Sequence, residues 1–180
     1  TSPAANVSGT YSIDAGTGVD IITTGAGADH LDVTAGDAGT TGTEKVTDYT
    51  AGVGGDIFDL AGTTLLTAQT ATNVAAAITS GVGTDTLTAN VVTGVVTLGG
   101  NATAKIDTVA ELKAIFELLD TNNTLQVGAI EMSGNTYLLT DAASGNATDA
   151  DSVNDIIMLE GTTGITAVST TAGANTIAIV

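Results

Sequence analysis

The chain has 180 residues and carries twenty Asp and Glu against three Lys and no Arg, a formal net charge of -17. Nucleic acids and anionic membranes are excluded as partners, because Lys and Arg supply the contacts to phosphate. With no Cys, disulfides, thiolate metal sites and Cys nucleophiles are excluded together, and cations become the natural partners.

At 43% hydrophobic and with a mean hydropathy of +0.35, the sequence is no disordered acidic tail. Its length fits one or two small domains. Ala, Val, Leu and Ile dominate the apolar set, and 35 Thr and 23 Gly join only five Phe and Tyr. This composition suits thin, layered β structure rather than a thick aromatic core. No run of eighteen apolar residues occurs, so no spanning helix is expected. Thr1–Asn6 lacks the basic and apolar regions of a cleavable signal, and the missing initiator Met leads us to expect sequence upstream.

The clearest pattern is an internal repeat. Residues 15–23 and 24–32 share a nine-residue frame: Gly16 and Gly18, then Asp20 and Ile22; Gly25 and Gly27, then Asp29 and Leu31. The preceding frame, 6–14, keeps Gly9 and Ile13 but has Tyr11 in the Asp place. Glycine permits positive φ, which turns carbonyls inward, Asp adds a charged oxygen, and the aliphatic residue fits a short inward-facing strand. The frame resembles the calcium-binding nonapeptide of repeats-in-toxin proteins, a parallel β-solenoid pattern. That resemblance implies calcium as the cofactor and half a coil per nonapeptide. Eighteen residues then return the chain to the same edge; the count from Asp20 lands on Ala38, next to Asp37, and that from Asp29 on Thr47, next to Asp48, so with a slip of one residue each time Asp20 pairs with Asp37 and Asp29 with Asp48. His30 falls where the side chain faces solvent.

Residues 46–60 read as a strand, a Gly-rich turn and a second strand. Val46, Asp48 and Tyr49, followed by Asp56, Phe58, Asp59 and Leu60, resemble the segment that closes many repeats-in-toxin rolls. The resemblance implies a cap over the stack and adds Asp56 and Asp59 to the candidate calcium ligands. Farther on, Ala71–Thr79 has helical spacing at Val74 and Ile78, and Thr84–Leu98 has the content of one or two strands around Gly94.

Residues 108–122 give the best helix in the chain. Thr108 and Glu111 fit a capping box, and Val109, Leu112, Ile115, Phe116 and Leu119 form an apolar stripe that needs a sheet to pack on. Leu125–Met132 and Thr136–Thr140, joined at Ser133-Gly134-Asn135, read as a β-hairpin; Asp155–Leu159, Ile165–Ser169 and Thr176–Val180 read as further strands. Residues 106–161 resemble the C-terminal module that follows the repeats in many type I-secreted adhesins and surface proteins.

A second candidate calcium loop holds Asp141, Asn146, Asp149, Asp151 and Asp155, whose carboxylates repel one another unless solvated or neutralised. Asp120, Asn122, Thr124 and Glu131 have the spacing of a helix-loop-helix calcium loop, but Leu125 stands where that loop needs Gly. His30 is the single imidazole, and no zinc-protease, nucleophile-elbow or P-loop motif is present, so catalysis is not expected.

The expected fold is mainly β. It comprises a short calcium-binding parallel β-roll or β-solenoid over 1–62, a β-rich connecting segment over 63–107, and a β-rich C-terminal module with one packed α-helix over 108–180. The expected function is a calcium-stabilised extracellular module of a surface-layer protein, secreted by the type I route and self-assembling into a lattice. Other regions would contact a cell-surface polysaccharide, and Ile177–Val180 is compatible with an uncleaved export signal. The alternative is the secretion and stability module of a large adhesin or of a secreted hydrolase.

Overall fold

The computed structural model describes residues 12–14, 16, 18–32, 43–59, 64–75, 87–100, 106–119, 126–141, 153–170 and 176–180. Fourteen strands and one helix lie among the described residues, and the protein is mainly β. The first five strands, β1 (Ser12–Asp14), β2 (Ile21–Thr23), β3 (His30–Asp32), β4 (Glu44–Thr47) and β5 (Ile57–Asp59), alternate between two sheets. β1, β3 and β5 pair in parallel in one sheet, and β2 and β4 pair in parallel in the other.

The nonapeptide frame sets the first register. Ser12 faces His30, eighteen residues on, and Asp14 faces Asp32. The count then lengthens, with the Thr23 and Thr47 hydroxyls 24 positions apart and 2.8 Å from each other. Because side chains alternate along a strand, the eighth-place aliphatics Ile22 and Leu31 point inward, and Val46 and Phe58 continue their rows; all four are fully buried. Ile13, in the edge strand β1, is only partly covered.

Next come β6 (Thr64–Leu65), β7 (Gln69–Asn73), β8 (Thr88–Val92) and β9 (Val95–Gly99), followed by helix α1 (Val109–Leu119). Where the spacing of Val74 and Ile78 predicts a helix from residue 71, the structure has β7 through Asn73, paired with β8. β-branched Thr70 and Thr72 favour the extended form, and residues 76–79 lie outside the described residues. Of the one or two strands expected around Gly94 the structure has two, β8 and β9, paired as a hairpin in which Thr93 and Gly94 both have positive φ. The capping box forms as expected. The Glu111 N–H donates to Thr108 Oγ1 at 3.3 Å, and the Asp107 and Thr108 N–H groups donate to Glu111 Oε2.

The hairpin of β10 (Gln126–Met132) and β11 (Asn135–Asp141) turns at Ser133 and Gly134, both at positive φ as a two-residue turn requires. β12 (Val153–Leu159) pairs with β11 on one side and with β4 on the other. β13 (Val168–Thr170) and β14 (Thr176–Ile179) join β5 in the five-stranded sheet. Both sheets therefore draw strands from the first and the last of the three segments set out above.

Two hydrophobic cores result. One fills the space between the sheets with Ile22, Leu31, Val46, Phe58, Val127, Leu138, Ile157 and Ile177. The other lies between the larger sheet and α1, where Leu112, Ile115, Phe116 and Leu119 meet Ile130, Tyr137, Leu139 and Ile156. The close approach of α1 needs a glycine in β10, since a Cβ on Gly128 would sit 2.8 Å from the Phe116 ring. No described helix is long and apolar enough to cross a membrane.

Candidate cation site at the stacked strand junctions

Two turns carry the acids that the repeat singles out. Gly16, Gly18, Gly25 and Gly27 all have positive φ, as the nonapeptide reading requires. Asp20 leads into β2 and Asp29 leads into β3. Their carbonyls each receive the N–H of a residue one rung on: Lys45 donates to the Asp20 oxygen at 3.0 Å, and Ile57 to the Asp29 oxygen at 2.9 Å. The acids stacked on the two repeat aspartates are therefore Glu44 and Asp56, which directly precede those donors.

This differs from the eighteen-residue pairing. The turn of 24–29 does stack on the turn of 48–56, since Thr24 Oγ1 donates to the Asp48 carbonyl at 2.9 Å. Yet Asp29 abuts Asp56, 27 positions away, rather than Asp48. The second junction is longer than a nonapeptide, so Asp48 enters the turn and Asp56 leaves it. Asp48 is exposed with φ of 62°. Asp37, the expected partner of Asp20, lies outside the described residues.

Asp56 is the hub of this junction and is fully buried. Its Oδ1 accepts the Asp29 N–H and its Oδ2 the Thr50 N–H, both at 2.8 Å, and the Thr24 side chain bonds it as well. The Tyr49 hydroxyl donates to the Asp56 carbonyl at 2.9 Å and accepts the Ile179 N–H, while its ring stacks on Phe58 at 5.3 Å. Burial raises the Asp56 carboxyl above its ordinary value; the amides of Thr50 and Asp29 oppose this, and the charge of Asp29 adds to it. Burial likewise raises the Tyr49 hydroxyl, which keeps it a donor. Asp29 and Glu44 are also buried, at 1% and 0% exposure.

A second acidic row sets Asp59, a candidate from the sequence, beside Asp14 and Asp32, which the sequence reading passed over. Asp14, Asp32 and Asp59 occupy one register position on β1, β3 and β5, so three carboxylates follow one another along the parallel sheet. Asp59 lies 3.7 Å from His30 Nε2, and both side chains are partly exposed. The signal was the ninth place of the frame, Asp in two of the three copies. Glu44 had no such signal, because it follows a segment with no repeat.

The second acidic loop is scarcely described. Asp149 and Asp151 lie outside the described residues, as do Asn146, Asp120, Asn122 and Thr124. Asp141 and Asp155 are strand positions opposite Gln126 and Thr140. Glu131 is exposed, and its Oε1 accepts the Ile165 N–H at 3.0 Å.

The donors at the junctions are all oxygens, carboxylates beside turn carbonyls, and this set fits a hard cation such as calcium. Among the described residues no three His, Asp or Glu side chains form a ready cluster, so an ion there would draw on carbonyl oxygen or water for the rest of its shell. Comparison with family models, with curated proteins and with solved structures finds no match.

Proposed function

We propose that the chain is a calcium-stabilised extracellular structural module, most like the C-terminal part of a repeats-in-toxin surface-layer protein that leaves the cell by type I secretion. The observation that carries this reading is the stacking of Asp29 on Asp56, repeated by Asp20 and Glu44, at junctions whose glycines hold positive φ. Alternating parallel strands with an eighteen-residue first register are what a short β-roll requires. In this reading Asp29 and Asp56 share one ion with turn carbonyls, and Asp20 and Glu44 share another. The chain is no enzyme in itself, and its partners are calcium and further copies of the chain.

Linkage supplies the mechanism. Where free calcium is scarce, a chain of charge -17 resists bringing buried carboxylates together and stays open, which suits export through a narrow channel. Outside the cell, millimolar calcium fills sites with Kd of about 10⁻⁴ to 10⁻³ M. Each site filled to ten times its Kd adds about 1.4 kcal/mol to folding.

Circular dichroism of the chain during calcium titration, with and without a chelator, tests the reading. Folding should follow calcium and reverse with chelator; a fold indifferent to both overturns it. Scattering on the loaded chain then separates the biological contexts. Ordered sheets or large oligomers fit a surface lattice, whereas a monomer fits the stability module of an adhesin or a secreted hydrolase.

A further inference from the structure

We propose that β14 is a latch: the parallel stack of β1 to β5 closes only when this distant segment docks, and whatever holds residues 176–180 keeps the stack open. Strand pairing, core burial and the hydrogen bonds of Ile179 carry it, without the calcium reading.

The strands of the stack are short, three residues each in β1, β2, β3 and β5. Strands of that length have little stability apart from their neighbours. In the five-stranded sheet, β5 has β3 on one side and β14 on the other. Ile177 faces Phe58 and Ala178 faces Ile57 in antiparallel register. Without β14, β5 becomes an edge strand and the Phe58 side of the inner core loses Ile177 and Ile179, both fully buried there.

The same segment locks the junction that holds Asp56. The Gly52 N–H donates to the Ile179 carbonyl at 2.8 Å, and the Ile179 N–H donates to the Tyr49 hydroxyl, 130 positions away in sequence. Tyr49 in turn bonds the Asp56 carbonyl. One short strand thus completes a sheet, an inner core and the turn in which the stacked acids meet. Contacts so far apart in sequence carry a high loop-closure cost and form late. The helix-side core takes none of its buried residues from β1 to β5 or from β14, so it should hold when the latch opens.

Hydrogen exchange on the full chain tests the proposal. In Ile177→Asp, the amides of residues 30–32 and 57–59 should lose protection by at least about tenfold, while those of Ile130, Tyr137 and Leu139 keep theirs. A chain ended at residue 175 should behave in the same way without adding a charge, and Val92→Asp, at an exposed hairpin position, should leave both sets protected. The latch is overturned if the stack amides stay protected in either β14 variant, if both sets fall together, or if Val92→Asp opens the stack as well.

Discussion

The Asp29 N–H donates to the Asp56 carboxylate across 2.8 Å, tying one strand junction to the next through a fully buried acid. That acid also takes the Thr50 N–H, so one of its oxygens holds the end of the earlier turn and the other the start of its own. Replacing it by Asn puts an amide nitrogen against one of these donors. Asp56→Asn should therefore lower stability by about 1–3 kcal/mol, measured by urea unfolding. An unchanged midpoint would show that the hub carries no weight.

The same carboxyl sets a pH dependence. Burial raises its pKa above 3.8, so the folded state keeps the proton to higher pH than the unfolded state does. The stabilisation is present in full below 3.8 and is lost as pH rises through the folded value. In chelator, the melting temperature should fall as pH climbs from 3.8 through the folded value, and Asp56→Asn should flatten that fall while lowering the curve. A wild-type profile that rises over this range would contradict the assignment.

Calcium should act at the same place. With chelator removed and calcium at ten times its Kd, two filled sites would add about 2.8 kcal/mol, a shift of several degrees in Tm. Asp29→Asn should remove about half of that gain. A calcium response that survives intact in this variant would move the ion elsewhere.

Gly55 offers a test of the turn itself. A Cβ placed there would lie 2.0 Å from the Thr50 carbonyl oxygen, and backbone cannot yield as a flexible side chain does. Gly55→Ala should cost about 1–3 kcal/mol and weaken calcium binding together with stability. Gly134→Ala makes a contrast, because its positive φ is strained but its surroundings are open.

Thr108→Ala separates the helix from the stack. Loss of the Oγ1 acceptor for the Glu111 N–H should cost about 0.5–2 kcal/mol. Calcium affinity should stay the same, as isothermal titration would show.

Local rules carried much of the fold. Ile13, Ile22 and Leu31 sit at one place of a repeated frame, and Thr108 with Glu111 is a cap that needs only four residues; both were legible because the information is contiguous. The partner of Asp29 was not. Its identity depends on how many residues occupy the junctions after Asp32 and after Thr47, and those segments have no period from which a register can be counted. Glu44 stayed hidden for the same reason. The contact of Tyr49 with Ile179 is set by tertiary packing, and nothing near either residue in the sequence announces it. In the connecting segment, the helical spacing of Val74 and Ile78 competed with β-branched Thr, and pairing with β8 decided the outcome as far as Asn73.

Through the middle of β10 to β12 the larger sheet is buried on both faces. Val127, Leu138 and Ile157 point one way while Ile130, Leu139 and Ile156 point the other. Slipping any of these strands by one residue would exchange the contents of two oily compartments at a stroke. An insertion or deletion should therefore be tolerated only in the connecting turns, and the three central ribbons behave as a party wall whose thickness and phase are both fixed.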